Sequence, residues 1–236
     1  MYQTQKTYMA PDSKMAVLIN ENPFLLLLLE HFQMDLMVGN KTVKQLCSEN
    51  GINLPVFITF GNLYNGFFPS GDEITSSRDV PDIIRFLKSS HRYYKEDKYP
   101  EIRQFIQKLY KNNPRRDVEL IDKFFQNYFE EVLEHLDYED NIAFPYFSRL
   151  TGEKDLMKKD FSVSEYREHH TDIETKLTDL KNLLLKHLPI KNDLPFKRKI
   201  LLSLFQLEFD LNIHSIIEEK ILLPLGEKIE KSHSDG

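Results

Sequence analysis

The chain has 236 residues, 31 basic and 37 acidic, for a formal charge of −6. That length allows one large domain or a main domain with a small companion, and a core that needs no disulfide or structural metal. The mild, mixed charge argues against a phosphate-backbone binder, since no basic run exceeds Lys197-Arg198-Lys199. A single cysteine, Cys47, excludes an internal disulfide and a thiolate-held iron–sulfur cluster. The most apolar run, Phe24 to Leu29, is too short to span a bilayer and follows no signal-peptide pattern. A soluble, cytoplasmic protein is expected, with neither nucleic acid nor membrane among its partners.

Residues 1–14 carry no periodic pattern and read as a flexible arm. Residues 15–66 read as a small helical domain of short elements. Asn22-Pro23 can open one helix, Gly39-Asn40 closes that stretch, Thr42 can cap a helix ending at Asn50-Gly51, and Asn53 or Leu54-Pro55 begins another. Residues 67–80 mix Gly, Pro and Ser and read as a linker. Residues 81–230 hold four long helical patterns, and 231–236 a tail. The first pattern runs from about Asp82 to Asn112, with Pro100 expected to kink it. The second runs from about Arg116 to Arg149, with Leu120, Ile121, Phe124, Phe125, Tyr128 and Val132 spaced at threes and fours. Ser162 and Glu165 form a capping box that opens the third, and Asp193-Leu-Pro195 opens the fourth. Short connections predict an all-α protein, an up-down four-helix bundle preceded by the small domain.

The chemistry lies in a repeated segment. His135-Leu-Asp-Tyr-Glu139-Asp-Asn-Ile-Ala-Phe-Pro145 recurs as His214-Ser-Ile-Ile-Glu218-Glu-Lys-Ile-Leu-Leu-Pro224. Background composition predicts on the order of a few hundredths of one such match, so the pair is not coincidental. On a helix, i and i+4 share a face, so each copy presents an imidazole beside a carboxylate. His91 precedes His135 by 44 residues and His170 precedes His214 by 44 residues, so the whole hairpin repeats with a period of 79. Neighbouring His169 falls out of that register. Four imidazoles and two carboxylates buried together would cost several kcal/mol per ion without compensation, which bound divalent cations supply. The expected ligands are His91, His135, Glu139, His170, His214 and Glu218. Imidazole with carboxylate and no thiolate suits iron, manganese or zinc; two ions would share the six ligands, Glu139 and Glu218 bridging them. His31, His187 and His233 lie outside the repeat and are read as non-ligands. Glu131 reads as a surface residue, and Tyr93, Tyr94 and Tyr138 as packing residues near the site.

With these residues in place, the chain resembles the hemerythrin-like HHE domain, most closely its repair-of-iron-centres branch. The resemblance covers most of residues 15–230. It implies two non-haem iron ions, carboxylate-bridged with an oxo or hydroxo bridge. It also implies a role in supplying iron to clusters damaged by nitric oxide or oxidative stress, and binding or reduction of nitric oxide. Iron–sulfur proteins would be the acceptors, nitric oxide and oxygen the small ligands, and a homodimer is allowed. Oxygen-carrying hemerythrins place a His-x3-His pair on the third helix, whereas His170 is followed at i+4 by Glu174, so oxygen carriage is not expected. The segments from Pro23, Asp35-Leu-Met-Val-Gly39 and Thr42 to Gly51 resemble the short domain that precedes many members. That domain carries adjacent cysteines where this chain reads Leu36-Met37-Val38. A di-iron oxygen or nitric oxide sensor signalling through this domain is the second reading, and a structural or zinc-binding bundle the third.

Overall fold

The computed structural model describes residues 6–68, 74, 76–151, 162–169, 175–190 and 193–234. Among them the protein is all-helical and contains no strand. The helices are α1 (Met15–Glu21), α2 (Leu25–His31), α3 (Val43–Asn50), α4 (Leu54–Tyr64), α5 (Val80–Tyr93), α6 (Tyr99–Asn112), α7 (Arg116–Tyr138), α8 (Phe144–Leu150), α9 (Val163–His169), α10 (Thr175–Lys186), α11 (Leu194–Ile217) and α12 (Leu223–Ser234). Contacts divide the chain into two compact units. One takes Met1–Ser90, Phe144–Arg167 and Ile213–Gly236, the other His91–Ala143 and Glu168–Asn212.

In the first unit, turn chemistry sets the short helices. Thr42 and Gln45 close a reciprocal capping box on α3, and Gly51, at φ +62°, stops that helix in the left-handed region where glycine carries no steric penalty. Asn53 caps α4, its Oδ1 accepting from the Val56 N–H. Helix α2 ends earlier than the Gly39 stop signal suggests, at His31, because Gln33 turns into the left-handed region at φ 58°. Phe32, Phe57, Phe60 and Phe86 then pack as one aromatic group, with ring centroids 4.9–5.8 Å apart. The start of α5 is bonded to the same module: the Asn53 N–H donates to Asp82 (2.7 Å) and the Asn53 side-chain amide to Asp79 (2.9 Å). Cys47 is buried in this module, and burial, with Asp82 nearby, pushes its thiol up to about 12.

The segment from Lys6 to Lys14, read from the sequence as a loose arm, is held by backbone bonds that leave no hydrophobic periodicity. The Met9 N–H donates to Asn62 Oδ1 (2.7 Å) and the Asn62 amide donates back to the Met9 carbonyl (3.1 Å), with the Met9 side chain fully buried. The Asn65 amide donates to the Thr7 carbonyl.

In the second unit, Tyr99 stacks on Phe129 (4.5 Å between centroids) and donates to Tyr128. Equal steps back along α11 match steps forward from Tyr94: Tyr94 OH donates to Asp210 (2.8 Å), Lys98 to Gln206 (3.1 Å), and Ser203 to Glu101 (3.1 Å). These pairs fix one antiparallel register.

Among the described residues, three of the long helical patterns are interrupted in one manner. A single π-helical turn covers Tyr94–Lys98, Glu139–Ala143 and Glu218–Leu222, and each is followed by a helix whose second residue is proline: Pro100, Pro145 and Pro224. Proline offers no N–H to the carbonyl four residues earlier and its ring crowds that carbonyl. Widening the turn relieves both problems, and the helix continues instead of ending. Single π turns of this kind concentrate at functional sites. Pro100, expected as a kink, thus sits just past a π turn. The last two turns are 79 residues apart, as the sequence repeat requires.

One helical stretch among the described residues, Leu194–His233, is long and apolar enough by length and composition to cross a membrane, with half of its most apolar window buried inside the protein. It carries His214 and Glu218, which are buried.

Replacing Asn62 by Ala strips both partners from the buried Met9 backbone. Asn62→Ala should lower stability by about 1–3 kcal/mol, measured by denaturant unfolding; an unchanged midpoint would show that residues 6–14 are not held as described.

Candidate metal centre

The end of α5, the end of α7 and the π turn that follows α7 build one half of the site. His91 lies on the last turn of α5, buried, with Nε2 3.4 Å from Glu139 Oε2. Glu139 opens the π turn after α7 and is fully buried. One turn earlier on α7, His135 places Nε2 3.2 Å from Glu139 Oε1. The far nitrogen of His91, Nδ1, donates to Asp140 Oδ1 (3.0 Å), and Lys95 holds the other oxygen of Asp140 at 2.9 Å while also reaching Asp137. A carboxylate on Nδ1 sets the ring's tautomer and aims Nε2 at the site, the usual arrangement around a ligating histidine.

The end of α11 and its π turn build the other half. His214 and Glu218 are both buried, with His214 Nε2 3.2 Å from Glu218 Oε1. His214 Nδ1 meets Ser90 Oγ at 2.8 Å, and the Tyr166 hydroxyl, from α9, donates to Glu218 Oε1 at 3.0 Å.

His91, Glu139, His214 and Glu218 each bring a ligand atom within 4.8 Å of the others, and this buried group could hold a metal ion. The donor set fits a cation. Nε2 lone pairs face carboxylate oxygens at 3.2–3.4 Å, an arrangement that repels unless a proton or a metal lies between. Without a metal, a proton on His91 would relieve that repulsion at Glu139. Burial of the ring works against the imidazolium, yet Asp140 and Glu139 outweigh it and raise His91 from 6.5 to about 9. Burial likewise opposes ionisation of Glu139, but His135 and His91 hold its carboxyl well below the usual range. Burial again opposes ionisation of Asp140, and His91 and Lys95 hold it low.

The structure therefore brings four of the six expected ligands together, with His135 beside Glu139. His170 and Glu174 lie outside the described residues, as does the side chain of His169. Glu131 is exposed and paired with Lys176. His31 packs edge-on against Phe86 (5.1 Å), and neither it, His187 nor His233 joins the ligand group. Tyr94 does more than pack, because its hydroxyl holds the buried Asp210. Four residues escape a reading of the repeat alone: Asp140, Ser90, Tyr166 and Asp210. Asp140 stands where both motif copies have an acidic residue, and Asp210 precedes His214 by the interval that separates Glu131 from His135. Ser90 and Tyr166 leave no such mark, since their partners are distant in sequence.

The raised His91 makes the metal-free protein pH-sensitive. A pKa above its unfolded value contributes stability that is complete below about 6.5 and is lost as pH rises through about 9. Chelated protein should therefore show a Tm that falls across that window, while metal-loaded protein resists the fall; equal, flat profiles would contradict the site. No family model, curated protein or solved structure matches the chain, so the resemblance to hemerythrin-like domains rests on its residues.

Proposed function

We propose that this chain is a non-haem di-iron protein of the repair-of-iron-centres type, an up-down four-helix bundle that supplies iron for rebuilding iron–sulfur clusters. The observation that carries the reading is the buried His91, Glu139, His214 and Glu218 group, drawn from both copies of a repeated hairpin. Imidazole and carboxylate without thiolate favour iron, manganese or zinc, and paired carboxylates on repeated helices favour two ions. Bound iron would supply one-electron redox change and open positions for nitric oxide or oxygen. The chain's own residues do the rest. Asp140 and Lys95 orient His91, Tyr166 orients Glu218, and the two glutamates provide hard oxygen donors that protonation detaches.

A second reading has its own observation. Helix α5 is bonded at its start to the N-terminal module through Asn53 and carries His91 at its end. That continuity suits a sensor in which a change at His91 reaches the module.

Protein loaded anaerobically with ferrous iron and exposed to air should hold about two irons per chain and absorb in the near ultraviolet. It should also reactivate an iron–sulfur enzyme inactivated by nitric oxide better than the same amount of free ferrous iron. Fewer than about one iron per chain would remove the di-iron reading. Retained iron with no reactivation, and a partner affinity that changes with nitric oxide, would select the sensor.

A further inference from the structure

We infer that Ser90 is a positioning residue for the metal centre, its hydroxyl deciding which ring nitrogen of His214 faces the ligand group. The inference rests on the metal reading of His91, Glu139, His214 and Glu218.

A serine hydroxyl has one proton and two lone pairs. Ser90, fully buried in α5, donates that proton to the Leu87 carbonyl one turn earlier (2.7 Å). Only lone pairs then remain for His214 Nδ1 at 2.8 Å, so this nitrogen carries the ring's proton and donates. The basic nitrogen is thereby Nε2, which points to Glu218 Oε1 at 3.2 Å. Without the serine oxygen, the buried Nδ1–H would lose this acceptor, and with it the bond that sets the ring's orientation. Partners of this kind around metal-ligating histidines fix tautomer and orientation.

The two histidines are buttressed by different chemistry. His91 leans on a carboxylate, Asp140, and His214 on a hydroxyl, Ser90. Ser90 and His91 are consecutive, so one turn of α5 both supplies a ligand and orients another.

The test uses the full chain loaded with zinc as a diamagnetic probe, with histidines labelled in nitrogen-15. In the wild-type protein, His214 should bind zinc through Nε2 and keep a slowly exchanging proton on Nδ1. Ser90→Ala should weaken zinc affinity about 10–100-fold in competition with a chelator and speed exchange of that proton. Binding through Nδ1 in the wild type overturns the inference and needs no variant, so poor folding of Ser90→Ala does not decide the matter. Wild-type affinity and exchange in Ser90→Ala also overturn it. A wild-type chain that binds no zinc and no iron overturns the metal reading itself, an outcome distinct from both.

Discussion

The pairing of buried imidazoles with buried carboxylates is the constraint around which the rest of this protein is arranged. Glu139 is fully buried and Glu218 nearly so, so bulk solvent does not reach either carboxylate. Taking a carboxylate out of water costs several kcal/mol unless a cation and hydrogen bonds replace the solvent. Each glutamate accordingly has a histidine one turn before it on its own helix. A protein interior that invests in such charges gains little stability from them compared with apolar packing. Their presence in two matched copies is better explained by a ligand than by the fold's own needs.

Backbone geometry serves the same end. The π turns at Glu139–Ala143 and Glu218–Leu222 begin at the two glutamates, and a third begins three residues after His91. An extra residue in the turn rotates the next helical segment away from the face a regular helix would give it. The turn that carries the glutamate can then face inward while the continuing helix presents an apolar stripe: Phe144 and Phe147 after one turn, Leu223 and Leu225 after the other. Proline two residues beyond each turn makes the regular alternative unfavourable. Asp140 and Ser90 bond the far ring nitrogens of His91 and His214, Lys95 holds Asp140, and Tyr166 donates to Glu218.

Much of this is legible in the sequence, and the gaps have physical causes. The period of 79 pairs His91 with His170, His135 with His214 and Glu139 with Glu218, and four of these six form the buried group that could hold a metal ion. The π turns leave only an indirect trace, since the i to i+4 relation of His and Glu is the same in a regular helix. Pro145 and Pro224 mark them, but proline alone does not distinguish a kink, a stop and a widened turn. Ser90 and Tyr166 act across helices, and a single chain gives no pattern for a pair so far apart in sequence. The hold on residues 6–14 is equally silent, because it runs through Asn62 and Asn65 to backbone atoms and not through an apolar face.

The most direct measurement is an anomalous difference map at the iron absorption edge from crystals of the iron-loaded chain. Iron density within bonding distance of both the Glu139 and Glu218 carboxylates, with His91 and His214 coordinating through Nε2, is the result this account predicts. Iron bound elsewhere on the chain, or a well-ordered Glu139 and Glu218 pair with no metal between them, would contradict it.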